Sequence, residues 1–441
     1  MGRRRTVTVA VASIRLWGRT VGAASWDDDR GLAHFEYDPD FIPGGRQVAP
    51  LAMPLASEIY SFPALPRQTF HGLPGLLADS LPDRFGNALI DAWLARQGRD
   101  PSDLNAVERL CYIGARGMGA LEFVPATGPK HDPAPLDVAA LVELAGEILT
   151  RRAALGGSLA PAHREQALQA ILRVGTSAGG ARAKAVIAWN PETDEVRSGQ
   201  IKAGDGFSHW LLKFDGVAGN KDKELEDPRG YGQIEYAYHR MARAAGIRMT
   251  ECRILRENGR NHFMTRRFDR TATGRKIHMQ SLGALAHYDF NQAGAYSYEQ
   301  AQRVIYKLGL GKDAAEEQFR RMAFNIVARN QDDHVKNIAF LMDRAGRWWL
   351  SPAFDVTYSY NPAGRWTGAH QMTLNGKRDG FEIDDFVACG RNASLKRGRA
   401  TAILRDVQGA VSRWREFAEE ASVPDDTMRR IGATHRTDLL R

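Results

Sequence analysis

The stretch from 316 to 360 constrains the fold of this chain more than any other. Phe319, Met322, Ala323, Ile326 and Val327 fall at i, i+3, i+4, i+7 and i+8, which predicts an amphipathic helix with one buried face. Asn330, a residue suited to ending a helix, is expected to close it. The run Asp332-Asp333-His334-Val335-Lys336-Asn337 comes next. Two short apolar runs, 338–341 and 348–350, flank the turn Asp343-Arg344-Ala345-Gly346 and predict a hairpin. Asp355 stands just beyond it. A helix, an acidic loop, a hairpin and a further acid therefore follow one another within 45 positions.

Around this centre, 441 residues leave room for two or three compact units. Hydrophobic residues make up 43% and charged residues 25%, which excludes a wholly disordered or collagen-like chain. The net charge of +8 is thin over this length; it permits an anionic partner without demanding one. Three scattered cysteines, Cys111, Cys252 and Cys389, exclude a disulfide scaffold or zinc ribbon. The start, Met-Gly-Arg-Arg-Arg and then alternating Val with Thr or Ala, reads as a strand, not a signal peptide. No apolar run approaches the roughly 18–20 residues of a membrane span. The expectation is a cytoplasmic protein with no membrane contact.

The first 70 residues read as an antiparallel meander, and 72–97 as helix broken by Pro82. Four prolines within 124–135 mark a linker. Beyond it come a helical segment at 136–152, strands around 185–189 and 210–214, a helix at 234–245 and a hairpin with the turn Asn258-Gly259. These readings divide the chain into a β-rich unit at 1–125, a lobe at 136–265 with a glycine-rich loop, and a mostly helical lobe at 266–441.

The layout of 316–360 matches a phosphoryl-transfer centre of the protein-kinase kind. There a loop Asp orients the attacking hydroxyl, an Asn five residues on holds Mg²⁺, and so does an Asp beyond the hairpin. Asp332, Asn337 and Asp355 have those places. The competing reading is that Asp332, Asp333 and Asn337 only make a turn. The segment 174–184 supplies a glycine-rich loop. Gly175 and Gly180 have Walker A spacing, but Ala181 stands where Lys is required, so a P-loop NTPase is excluded. Lys213 lies inside the apolar strand Trp210-Leu211-Leu212-Lys213-Phe214. A charge there is expensive unless paired, by phosphate for example, or unless the strand is an edge in water. Arg266-Arg267-Phe268-Asp269-Arg270 is either a charged turn or the connector between lobes. The histidines have no ligand spacing, which argues against a zinc enzyme. Arg391, Lys396, Arg397, Arg399 and Arg405 form a basic patch, either a solvated helix face or a phosphate-backbone contact.

Taken together, the chain resembles the HipA family, the serine/threonine kinase toxins of bacterial toxin–antitoxin modules. The resemblance runs through Leu16-Trp17-Gly18-Arg19-Thr20-Val21-Gly22, Leu76-Leu77-Ala78-Asp79-Ser80-Leu81-Pro82-Asp83-Arg84, Ser177 to Lys184, Leu211-Leu212-Lys213, Arg267-Phe268-Asp269-Arg270, Asp332 to Asn337 and Leu350 to Val356. It implies an α+β, two-lobed protein-kinase-like fold with an N-terminal β-rich subdomain and a mostly helical C-terminal lobe, using ATP and Mg²⁺. It implies Asp332 as catalytic, with His334 steadying the loop or touching phosphate. Lys213, Gly179, Gly180, His334 and Asn337 would border the nucleotide, with Arg266 and Phe268 along the adenine. Asn337 and Asp355 would hold metal. Ser177, with Thr176 beside it, would be the site of inactivating autophosphorylation. Where the family's best-studied type has Glu, this chain has Arg266, so only a backbone contact to adenine would survive there. The partners implied are a helix-turn-helix, HipB-like antitoxin, operator DNA reached through it, and an aminoacyl-tRNA synthetase as substrate, the glutamyl enzyme favoured. A catalytically silent co-repressor and a small-molecule phosphotransferase share the same residues.

Overall fold

The computed structural model describes residues 9, 11–96, 98–101, 104–129, 134–149, 161–175, 182–200, 204–217, 221–222, 225–226 and 229–440. An antiparallel five-stranded sheet opens the chain, in the order Ile59–Tyr60, Leu32–Tyr37, Arg19–Asp27, Val11–Leu16 and Leu121–Val124. Trp17 and Gly18 join its first two strands with φ of 51° and 85°, the left-handed pair that a two-residue hairpin turn requires. The register slips between Ile14 and Arg15, and Ala12, Ile14 and Leu16 face inward while Val11 is exposed. The strand's last residues thus set the buried face. They pack with Phe35, Tyr37, Leu76, Leu77 and the helix Ala106–Ile113.

A second antiparallel sheet runs Cys252–Glu257, Arg260–Arg266, Ser208–Lys213, Lys184–Trp189 and Val196–Ser198. Asn258 and Gly259 take φ of 43° and 72°, the turn their sequence predicts. Trp210, Leu212 and Phe214 turn one face of this sheet onto the helices Val138–Leu149 and Pro161–Val174. The other face receives the helix Tyr231–Ala244. The strand Ser208–Lys213 is the middle one of five, so Lys213 is not on a solvated edge.

The remainder is mostly helical, around the helix Gly311–Val327 and the helices Tyr298–Lys307, Ile383–Asn392 and Arg399–Val411. The predicted hairpin forms from Ala339–Met342 and Trp348–Leu350, and His278–Ser281 adds a third strand that the sequence did not announce. The long helix stops near Asn330, at Val327, but the left-handed residue that follows it is not Asn330. Arg329 takes the left-handed turn at φ 58°, held by its Nε–H donating to the Thr434 carbonyl at 2.8 Å. Met342, at the hairpin's far end, is buried in the core of the first sheet. Among the described residues no helix is long and apolar enough to cross a membrane.

In the expected connector, Arg266 to Arg270, Arg266 is exposed but Arg267 and Asp269 are buried, so the segment is not a solvated turn throughout. Arg267 lies with Asp269 and Arg270 in an ion cluster whose Asp269 side chain is fully covered. Asp269 accepts from the Gly119 N–H at 2.7 Å, and Arg270 donates to the Gly119 carbonyl at 3.0 Å. The cluster thereby ties the lobe connector to the N-terminal unit.

Candidate active site

The site forms around Lys213. Alternation along its strand points Trp210 and Leu212 into the core and delivers Lys213 to the opposite face. There Nζ lies 2.6 Å from Glu235 Oε1 and 2.5 Å from Asp355 Oδ1. Burial works against the ammonium, but Asp355 and Glu235 raise its pKa and keep it protonated. Burial likewise opposes the charge on Asp355, and Lys213 holds it well below the usual carboxylate range. Burial raises Glu235. Asp355 also adopts φ 56°, a left-handed conformation that is strained for a residue with a Cβ.

Glu235 was not singled out from the sequence. It shares the buried stripe of its helix with Tyr231, Ile234, Ala237, Tyr238 and Met241. A carboxylate on an apolar helical face, following a strand with a buried Lys, was the available signal. Arg182 stacks its guanidinium on Tyr231, 3.5 Å from the ring centroid.

The acidic loop forms the second half of the site. Asn337 Nδ2 donates to the Asp332 carbonyl at 2.9 Å, which leaves its amide oxygen to serve a cation. The Asp332 carboxylate receives the Trp366 indole N–H on Oδ1 at 2.6 Å. His334 Nε2 lies 3.8 Å from the same oxygen, longer than a hydrogen bond. His334 also packs between the rings of Phe290 and Trp366. Asp333 points the other way, into the core. It accepts from Tyr298 Oη at 2.5 Å, from the Gln371 N–H at 2.7 Å, and lies 2.8 Å from His370 Nδ1. Burial pushes the Asp333 pKa up, but His370, Tyr298 and Gln371 outweigh it and hold the group ionised. Asp333 is the anchor of the loop and Asp332 its outward-facing acid. Trp366, His370 and Gln371 come from a loop whose contacts no sequence period predicts.

The hairpin joins the two halves. The Ser351 N–H donates to the Ala339 carbonyl at 2.9 Å, so the strands stay level to their open end. Asn337 leaves that end on one arm and Asp355 on the other. At the connector, Phe268 packs on Phe354 with ring centroids 5.5 Å apart, next to Asp355. The Arg266 guanidinium turns outward to Glu251 at 3.8 Å. The N–H groups of Arg266 and Arg267 are engaged by the carbonyls of Glu251 and His209, so neither is available to read a base. Gly179, Gly180, Ser177 and Thr176 lie outside the described residues. Arg399 of the basic patch pairs with Glu316.

A divalent cation is tested by these donors. Among the described residues no three His, Cys, Asp or Glu side chains gather to hold a metal. One carboxylate and one amide oxygen suit Mg²⁺, which keeps its waters and takes phosphate oxygens as further ligands. The residues fit Mg²⁺ bound together with a phosphate, and not a metal held by protein alone.

A two-lobed α+β fold of the protein-kinase kind, with an added N-terminal β-rich unit, is the class these elements define. The comparisons agree. Residues 12–124 match the HipA N-terminal domain and residues 176–414 the HipA-like C-terminal domain. The chain belongs to the HipA family. The structure of HipA from Shewanella oneidensis, solved with HipB and operator DNA as a toxin–antitoxin system, is similar over 97% of this chain and 96% of that one, with a TM-score of 0.64 and 17% identity. The Helicobacter pylori proinflammatory kinase CtkA aligns over 53% of this chain and 89% of its own, with a TM-score of 0.32 and 11% identity. Among curated proteins none matches.

Proposed function

We propose that this protein is an ATP- and Mg²⁺-dependent serine/threonine protein kinase, acting as the toxin of a toxin–antitoxin module. The observation that carries the reading is the Lys213 ammonium clasped between Glu235 and Asp355, at the open end of the hairpin that begins from Asn337. Such a lysine, kept charged inside the protein, is suited to a nucleotide phosphate. Asn337 and Asp355 would hold Mg²⁺, which supplies charge neutralisation along the phosphates. Asp332 is the group that faces the acceptor hydroxyl. Its carboxylate, held on Oδ1 by Trp366, accepts the hydroxyl hydrogen and orients the nucleophile. Phe268 lines the nucleotide side through its contact with Phe354.

Family membership supports a separately encoded HipB-like antitoxin and contact with operator DNA through it. The substrate in this reading is an aminoacyl-tRNA synthetase, the glutamyl enzyme first, whose phosphorylation arrests translation. Modification at Ser177 inactivates the kinase, because a phosphate adds about −1.5 to −2 charge to the loop that must approach ATP.

Incubation of the purified chain with labelled ATP and Mg²⁺, followed by site mapping, tests the core of this. Label is expected on Ser177 and is expected to fall at least about a hundredfold in Asp332→Asn. Undiminished label in Asp332→Asn removes Asp332 from catalysis. Label on Thr176 alone moves the modified hydroxyl. A labelled enzyme that leaves purified synthetases unlabelled removes the substrate and keeps the kinase.

A further inference from the structure

Asp83 belongs to the N-terminal unit, yet its carboxylate lies inside the second lobe. It precedes the helix Arg84–Arg96 and divides its two oxygens between two tasks. Oδ1 accepts the Gly86 N–H at 2.6 Å, a helix N-cap. Oδ2 lies 3.2 Å from the Lys184 ammonium, and the two side chains are 5% and 3% exposed. Lys184 is the first residue of the strand Lys184–Trp189, directly after the glycine-rich segment, and its cross-strand partner is Lys213. Two lysines therefore stand side by side at the end of the sheet where Asp355 is held. The charge of Lys184 is among those that keep Asp355 ionised, after the larger effect of Lys213.

A buried ammonium beside a second ammonium is unfavourable unless a carboxylate compensates it. Lys213 has Glu235, supplied by the helix behind it. We propose that Asp83 does the same for Lys184: it is a positioning residue through which the N-terminal unit fixes a second cation at the nucleotide-phosphate end of the site. The proposal rests on the kinase reading. It makes the N-terminal unit part of the nucleotide site, although Asp83 itself touches no nucleotide. Without the Asp83 charge, the Lys184 ammonium loses the carboxylate 3.2 Å from it and the side chain swings away. The phosphates then lose a preplaced partner.

Asp83→Asn isolates the effect, because asparagine keeps an oxygen for the Gly86 cap and removes only the charge. The probe is mant-ATP with Mg²⁺, titrated by fluorescence against the full chain. Its dissociation constant is expected to rise about tenfold in Asp83→Asn, the loss of one charge-assisted contact. In steady-state labelling, KM for ATP rises by more than kcat falls. Lys184→Gln weakens binding by a similar factor, and the double variant adds little to either. If Asp83→Asn melts too early for assay, Asp83→Glu, with the charge on a longer arm, is expected to weaken binding about threefold while folding. Unchanged or tighter binding in the folded variants, or fully additive effects with Lys184→Gln, overturns the proposal alone. A wild-type chain that binds no mant-ATP overturns it together with the kinase reading.

Discussion

Trp366 shows how one hydrogen bond aims the proposed catalytic acid. Its indole N–H holds Asp332 Oδ1 at 2.6 Å, so the carboxylate cannot rotate freely. Trp366→Phe removes the donor and retains an aromatic ring near His334. Phosphoryl transfer is expected to slow about tenfold in kcat, since a hydrogen bond to a charged group contributes on the order of 1.5–3 kcal/mol. KM for ATP is expected to stay within about twofold, because Lys213, Asn337 and Asp355 are untouched. Steady-state kinetics at varied ATP check this, and a raised KM with unchanged kcat would assign Trp366 to binding instead. The same residue marks the limit of reading a sequence. Lys213 was legible because a lone cation in an apolar strand needs a partner. Asp332, Asn337 and Asp355 were legible because their spacing is set by local chain geometry. Trp366 and Asp83 were not, because each acts on a residue brought close only by the fold. Asp83 meets Lys184 a hundred residues away, and Trp366 comes from a loop that carries no periodic signal.

Among the elements, the short helix Gly75–Ala78 seats the N-terminal unit on the helical lobe. Its Gly75 N–H donates to His287 Nε2 at 3.0 Å, and nearby Asp79 accepts from the Ser281 N–H at 2.7 Å and from Ser281 Oγ at 2.8 Å. A Cβ on Gly75 would come within 2.3 Å of the Ala284 carbonyl oxygen and 2.6 Å of the His287 ring. Backbone cannot yield that distance cheaply, so Gly75→Ala must part the helix from the short helix Leu282–Ala286. A loss of about 1–3 kcal/mol is expected, as for an overpacked core. Denaturant unfolding measures it; a variant as stable as wild type would mean that the two helices separate without penalty. The sequence predicted the hairpins at Asn258-Gly259 and 339–350, whose turns carry local signals. It did not predict that His278–Ser281 would join the second hairpin. That pairing runs across some sixty residues, a distance that no local sequence signal covers. The long helix stops near Asn330 as its sequence reads, but the residue that turns the chain there was not legible, for a similar reason. The left-handed position fell to Arg329, anchored by Thr434 and Tyr360 from distant parts of the chain, and not to Asn330 with its better intrinsic preference.

At the scale of the molecule, the N-terminal unit meets the rest of the chain along a seam that holds two histidines. His287 accepts the Gly75 N–H and lies edge-on to Phe62 and Phe70. His278 is wholly buried beside Trp348, with Gln280 Nε2 at 3.0 Å and the Val48 carbonyl at 3.3 Å. Burial lowers each to about 4, against an ordinary value near 6.5. A lowered histidine pKa means that between about pH 4 and 6.5 the unfolded chain binds the proton and the folded chain resists it. The stabilisation is therefore complete above about pH 6.5 and is lost as the pH falls toward 4. Each such histidine steepens the dependence by up to about 1.4 kcal/mol per pH unit inside that window. Both sit between the N-terminal unit and the rest of the chain, so acid is expected to weaken that seam along with global stability. Unfolding free energy measured from pH 7.5 to 5 should be flat above pH 7 and decline below about 6.5. His287→Gln, which cannot be protonated in this range but retains an acceptor for the Gly75 N–H, should show a shallower decline by about one proton. A variant whose slope equals that of wild type would show that His287 does not resist protonation at the seam.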